Sequence, residues 1–251
     1  MNEQIFYTPD GNPALDHARR ELESRGTVFV SEPQKDVTHL LLGIPAFHDD
    51  GTLKGNVDGK AIFSQISRNA TVFGGNLRSP ALSDFQTVDL LQDPLYLAHN
   101  ADITAHCAVK VAMQHLPVII KECPILILGW GRIGKCLSSL LHRMGSDVTV
   151  AARKDADRAM ISALGYTAAD IHALRNSLGR YRVIFNTVPE QILREDAICH
   201  CSENCLKIDL ASRKGIDGED VIHARGLPGK DAPESSGKLI AETVLRLMDR
   251  R

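Results

Sequence analysis

An apolar run, Ile125-Leu126-Ile127-Leu128, leads directly into Gly129-Trp130-Gly131-Arg132-Ile133-Gly134 and then into a helical pattern over 132–144. A second strand-like run, over 148–151, follows Gly145. G-x-G-x-x-G alone is common, but between a buried-type strand and a helix, within one βαβ unit, it marks a dinucleotide site. The glycines then have separate tasks. Gly129 permits the tight turn, Gly131 lets the backbone approach a pyrophosphate, and Gly134 lets the helix pack closely on the strand. The N–H groups of the first helical turn, at Arg132, Ile133 and Gly134, face the phosphates. The competing interpretation is a structural βαβ turn without a ligand.

The end of the second strand discriminates between cofactors. An NAD site places Asp or Glu about 20 residues after the glycines, where it binds the ribose hydroxyls. Here the chain reads Ala151-Ala152-Arg153-Lys154, and the first carboxylate is Asp155. Arg153 and Lys154 suit a 2′-phosphate, which Arg engages through charge-assisted, partly bidentate hydrogen bonds. NADP is therefore expected over NAD, the alternative being that both cations merely solvate the loop.

With 251 residues, 43% of them hydrophobic, the chain can build two domains of ordinary size. A formal net charge of −2 gives no electrostatic reason to expect nucleic acid or an anionic membrane as partner. No apolar run is long enough to span a bilayer, and Met1-Asn2-Glu3-Gln4 lacks the basic start of a secretory signal, so a cytoplasmic protein is expected. Cys199-His200-Cys201, followed by Cys205, lacks the paired C-x2-C knuckles of a zinc site. No metal is expected, and the six cysteines read as free thiols. The ten histidines show no H-E-x-x-H or other ligand spacing.

The pattern predicts an α/β protein of two α/β domains, the C-terminal one a Rossmann-type doubly wound parallel sheet, joined by a long crossing helix. Residues 1–98 form the smaller N-terminal domain, with strands over 4–8, 27–30, 38–42, 71–73 and 87–91 and helices over 13–25 and 57–67. Pro9-Asp10-Gly11-Asn12-Pro13 is turn chemistry without the further glycines of a phosphate loop, so this domain is expected to supply substrate or partner contacts. The connecting segment is 99–122, within a helical pattern over 94–122, and the cleft beside it is where a substrate is expected. Residues 123–235 form the cofactor domain, continuing with helices over 156–164 and 171–178 and strands over 182–186, 206–210 and 221–224. The last helix, over 236–250, either packs back on the first domain or forms a dimer contact.

In a doubly wound sheet, ligand groups gather at the carboxyl ends of strands. Three such ends carry polar signatures: Asn186-Thr187-Val188-Pro189, Asp209-Leu210-Ala211-Ser212-Arg213, and Gly226-Leu227-Pro228-Gly229-Lys230. Thr187 and Val188 are expected to line the cofactor, and Arg213 to hold a substrate carboxylate. Taken singly, each is also ordinary turn chemistry, and Arg213 has Asp217 and Glu219 as surface ion-pair partners.

Together these motifs, with the Ala152-Arg153 pair and Pro233, resemble the A subunit of dipicolinate synthase. The resemblance runs from the junction helix to the C-terminus. It implies NADP-dependent dehydrogenation of dihydrodipicolinate to dipicolinate in spore formers, working with a flavoprotein-like B subunit. Such a small dicarboxylate substrate needs cations and hydroxyl or N–H donors. Arg213 and Ser212, with Asn100 and Thr104 from the junction helix, are the candidates. The implied cofactor contacts are Gly129, Gly131, Arg132, Ile133, Gly134, Ala152, Arg153, Lys154, Asn186, Thr187, Val188, Pro189, Leu210, Ala211, Gly226 and Pro228.

The chain departs from the family in a shorter first domain, whose first strand-to-helix turn lacks the family's glycine pattern. It also reads Thr104-Ala105-His106-Cys107 where the family carries Thr-x-Glu-Gly. His106 can replace that Glu as proton acceptor, since histidine titrates near neutrality. A shikimate-dehydrogenase-like enzyme would need a catalytic lysine in a Val-Thr-x-Pro-x-Lys stretch, which is missing; Lys35, Lys54 and Lys60 stand in other contexts. A non-catalytic NADP-binding sensor or partner protein is the remaining alternative.

Overall fold

The computed structural model describes residues 4–9, 11–55 and 57–249. Met1, Asn2 and Glu3 at the N-terminus, Asp10 of the 9–13 turn and Arg250 at the expected helix end lie outside them. The chain divides into two units, one of Ala101–Leu227 and the other of the residues up to Asn100 with those from Pro228 onward.

The first unit is a parallel sheet of β1 (Ile5–Tyr7), β2 (Val28–Phe29), β3 (His39–Leu41), β4 (Thr71–Gly74) and β5 (Gln86–Asp89), in the order β2-β1-β3-β4-β5. This is the flavodoxin-like order, whose reversal falls between β1 and β3. Helix α1 (Pro13–Ser24) starts at Asn12, whose side chain accepts the N–H groups of Ala14 and Leu15, with Pro13 at a position that needs no donor. Helix α2 (Gly59–Gln65) lays Ile62 and Phe63 into a core with Leu40, Val72 and Phe85. The expected last strand stops at Asp89. Its carboxylate accepts the Leu91 N–H, turning Leu90–Gln92 into a 3₁₀ turn.

Helix α3 (Pro94–His115) is the longest element. It ends short of the predicted 122 because Pro117 keeps the residue before it out of the helical region, and the chain resumes only as a 3₁₀ turn at Ile120–Glu122.

The second unit holds β6 (Ile125–Leu128), α4 (Arg132–Arg143), β7 (Val148–Ala152), α5 (Asp155–Ala163), β8 (Thr167–Asp170), β9 (Val183–Asn186), α6 (Glu195–Ile198), β10 (Leu206–Asp209) and β11 (Val221–His223). All pair parallel in the order β11-β10-β9-β6-β7-β8, the dinucleotide-binding 3-2-1-4-5-6 arrangement, with its switch point between β6 and β9. Each residue of β6, β7 and β9 is buried, which explains why these strands read as continuous apolar runs.

Two expectations fail here. The helix predicted over 171–178 is a turn followed by a 3₁₀ segment, Arg175–Arg180. Ile171, Leu174 and Leu178 do face the core with helical spacing, but Asn176, Ser177 and Gly179 are poor helix formers. Strand β8 has no forerunner in the sequence pattern, because Thr-Ala-Ala-Asp has little of the β-branched and aromatic character of a strand.

The turn expected over 226–230 is present only at its start. Gly226 turns the chain, at φ +68°, but Leu227–Asp231 then form a short helix, α7, and Pro233–Met248 form α8. Helix α8 packs on α1 within the first unit, so closely that a Cβ on Gly237 would stand 2.6 Å from the Ala14 carbonyl oxygen.

Candidate dinucleotide site at the switch point of the second sheet

Gly129 leaves β6 at φ +104°, a conformation that favours glycine. Its N–H donates to the Ala151 carbonyl at 2.9 Å. A Cβ there would meet Thr187 Oγ1 at 2.6 Å and Val188 Cγ2 at 2.8 Å, so the 187–188 turn closes directly over this residue. Thr187 fixes that turn by donating both its N–H (2.9 Å) and its Oγ1 hydrogen (2.8 Å) to the Leu128 carbonyl. Gly134 is as tightly enclosed, since its Cβ would lie 2.3 Å from the Gly129 oxygen.

Gly131 differs. A Cβ there meets nothing within 4 Å, and it heads α4 without any side-chain cap. Enclosed glycines on one side of the turn, an open one on the other and an uncapped helix start make a cradle of N–H donors that fits a pyrophosphate. Beside it, Trp130 meets the edge of Tyr166, with the Lys135 ammonium 5.6 Å from its ring centre.

At the end of β7, Arg153 and Lys154 are both exposed. Arg158, one turn into α5, is a residue the sequence pattern does not single out. Its Nη1 donates to the carbonyls of Ala152 (3.0 Å) and Arg153 (2.9 Å), while its guanidinium pairs with Asp155 and lies 3.7 Å from Asp170. This clamp holds the strand end in one shape. The available cue is a cation five residues beyond Arg153 on a helix that starts at once, but only the fold shows it turning back.

The ends of β9 and β10 interlock. Asn186 is fully buried, its Nδ2 donating to the Val188 carbonyl (3.0 Å) and to Asp209 Oδ1 (2.9 Å), while its Oδ1 accepts the Val188 N–H (3.0 Å). The expected contact of Asn186 with the cofactor is thereby corrected: its amide is spent beneath the loop. Asp209, equally buried, also accepts the N–H groups of Ala211 (3.1 Å) and Gly215 (2.8 Å), and His223 Nδ1 stands 3.9 Å from its Oδ2. Gly215 has room for no side chain, since a Cβ would fall 2.3 Å from Asn186 Nδ2.

The sequence pattern marks Asp209 as the start of a polar strand end, but it singles out neither Gly215 nor His223, which join it in this base. Above this base, Ser212 and Arg213 are exposed while Leu210 and Ala211 are buried. Pro189 and Gly226 are exposed, whereas Pro228 is buried as the second residue of α7.

On α3, Thr104 is buried and Asn100 half-buried, one turn apart on one face. His106 is exposed, about 200° around the helix from Thr104. It lines a groove of about 410 Å³ with Val109, Met113, Leu140 and Met144. Leu140 and Met144 lie at the far end of α4 from the glycine turn, about 12–18 Å along its axis. Asn100 and Thr104 therefore share one face of α3, and His106 lies on another.

Among the described residues no three His, Cys, Asp or Glu side chains group as a metal site, and no helix is long and apolar enough to cross a membrane.

No family model matches the chain. The A subunit of dipicolinate synthase from Bacillus subtilis (strain 168) is 28% identical to it over 158 residues, covering 60% of this chain and 53% of that protein. The aligned stretch thus spans about half the length of the curated relative. The crystal structure of the dipicolinate synthase A subunit from Bacillus halodurans superposes with a TM-score of 0.83 at 20% identity, covering 98% of both chains. A D-isomer specific 2-hydroxyacid dehydrogenase from Xanthobacter autotrophicus Py2, solved in complex with NADPH and MES, gives 0.55 at 13% identity over 99% of this chain and 96% of that one. The chain is similar to the A subunit of dipicolinate synthase in sequence and in fold, and its fold is of the NAD(P)-binding Rossmann type.

Proposed function

We propose that this chain is an NADP-dependent oxidoreductase that dehydrogenates a small ring dicarboxylate, dihydrodipicolinate being the substrate suggested by its likeness to the A subunit of dipicolinate synthase. The observation that carries the proposal is the switch-point cradle: an uncapped helix start at Gly131, with Arg153 and Lys154 exposed at the neighbouring strand end. The N–H groups of Arg132, Ile133 and Gly134 hold the pyrophosphate, and Arg153 and Lys154 hold the 2′-phosphate. When bound, NADP supplies a hydride acceptor.

Arg213 and Ser212 project from a loop anchored from below by Asp209, and they are assigned to a substrate carboxylate. A guanidinium suits this task because it binds a carboxylate through two parallel hydrogen bonds. The relative is by name one lettered component of a larger synthase, and a partner protein belongs to the proposal on that ground.

The test supplies the purified chain with fresh dihydrodipicolinate and NADP, alone and with the corresponding second component of the synthase. Growth of pyridine absorbance is expected, and Arg213→Ala should raise the substrate KM while leaving NADPH affinity unchanged. No turnover under either condition would replace the enzyme by an NADP-binding sensor.

A further inference from the structure

Far from the glycine turn, at the amino end of β10, the chain places two thiols together. Cys201 follows α6 and is half-buried; Cys205 is buried just before the strand. Residues 202–205 form a turn closed by the Cys205 N–H on the Ser202 carbonyl at 2.9 Å, and both cysteine side chains pack in one apolar cluster with Ile198 and Val221. Lys207 backs the pair. Its buried ammonium donates to the Cys205 carbonyl at 3.1 Å and pairs with Asp220 Oδ2 at 2.6 Å.

We propose that Cys201 and Cys205 form a thiol–disulfide exchange site, in which a small disulfide oxidises the pair to an intrachain disulfide and thiols reduce it again. The roles follow from access and charge. Cys201 is the more exposed of the two, and the neighbouring Cys205 thiol, helped by the Lys207 ammonium, holds its thiol down to about 7 against burial and the Asp220 charge. A thiol of that acidity is near the optimum for attack at neutral pH. Cys205 is pushed up by the neighbouring Cys201 thiol and by burial, which suits the second, resolving thiol.

In the first step the Cys201 thiolate attacks one sulfur of the small disulfide, forming a mixed disulfide and releasing one thiolate. Cys205 then loses its proton and attacks Cys201 Sγ, releasing the second thiolate. One disulfide is reduced to two thiols while two cysteines are oxidised to one disulfide. Cys199 is exposed, but its thiol hydrogen is directed to the Asp196 carbonyl at 3.2 Å, and it is no part of the pair.

The site does not rest on the cofactor assignment, and its test is read by mass. The full chain is incubated with glutathione disulfide, blocked with an alkylating agent and digested with trypsin. The peptide running from Glu195 to Lys207 should appear two hydrogens lighter, with Cys199 alkylated and no fragmentation between 201 and 205. Cys205→Ser should stop at one glutathione on Cys201, and Cys199→Ser should behave as the natural chain. A natural chain that stays unoxidised, that keeps glutathione on Cys201, or that joins Cys199 to either thiol would overturn the proposal. Because the first readout uses the natural chain, poor folding of Cys205→Ser leaves it decisive.

Discussion

Gly134 sits so close to Gly129 that a methyl group on it would press 2.3 Å from the Gly129 carbonyl oxygen, a contact that only movement of the backbone could relieve. Gly134→Ala should therefore separate α4 from the turn. We expect a loss of about 2 kcal/mol or more in stability, as for overpacked cores, together with loss of NADPH binding. Urea unfolding and a fluorescence titration with NADPH measure the two effects. An alanine variant that binds NADPH as the natural chain does would rule out the cradle.

Arg153 is the exposed cation assigned to the 2′-phosphate, and NADH lacks that phosphate. Arg153→Asp should weaken NADPH roughly tenfold or more, the scale of a lost hydrogen bond between charged groups, and leave NADH little changed. Calorimetry with both nucleotides decides it. Equal affinity of the natural chain for the two would remove the specificity.

Asp209 accepts three N–H donors in a buried pocket. In Asp209→Asn one oxygen becomes an amide that cannot accept, so a buried donor from Asn186, Ala211 or Gly215 faces another donor. About 1–3 kcal/mol should be lost, with a fall in substrate affinity as the 210–215 loop loosens. A reduced urea midpoint alongside an increased KM is the expected pattern; a change in neither would make the network dispensable.

Asp93 accepts the Tyr96 N–H at 2.7 Å at the start of α3 and pairs with Arg246 of α8 at 2.7 Å. Burial pushes its carboxyl up, but the Arg246 hydrogen bond, the Tyr96 N–H and the guanidinium charge outweigh it, leaving the pKa below the usual carboxylate value. A carboxyl depressed in the folded state stabilises above its unfolded pKa of about 3.9, and that contribution is lost as the pH falls through the folded value. Asp93→Asn should cost about 1–2 kcal/mol at pH 7, and the gap to the natural chain should close in acid. Thermal unfolding across pH 2 to 7, about the range over which carboxylates titrate, follows it. A gap that widens in acid would contradict the pairing.

His106 is expected to be nearly silent. Loss of a general base costs on the order of 10² to 10⁴ in rate, whereas His106→Ala should stay within about twofold. A large fall in kcat at unchanged stability would return it to the chemistry.

The glycine turn and the strands around it are legible in the sequence because a buried parallel strand has little freedom in composition: Ile125–Leu128 and Val183–Asn186 announce themselves. The cations after β7 are visible for a similar local reason, as adjacent residues directly after a strand. What stays hidden depends on partners distant in sequence. Asn186 reads as a ligand-facing amide until Asp209, 23 positions later, is seen to take its hydrogen. Gly215 reads as a loop residue until the 186–190 turn closes against it. His106 shows the same limit, since two positions on a helix turn its side chain most of the way to the other face from Thr104.

The packing of α8 against α1 also sets an order of events during synthesis. The sheet of the first unit is complete by Asp89, yet the face of α1 that receives Gly237 stays uncovered while more than half of the chain is still to be translated. A ribosome stalled before Pro233 would hold a nascent protein with that helix bare, and a chaperone or a second nascent copy would meet it before its own C-terminus does.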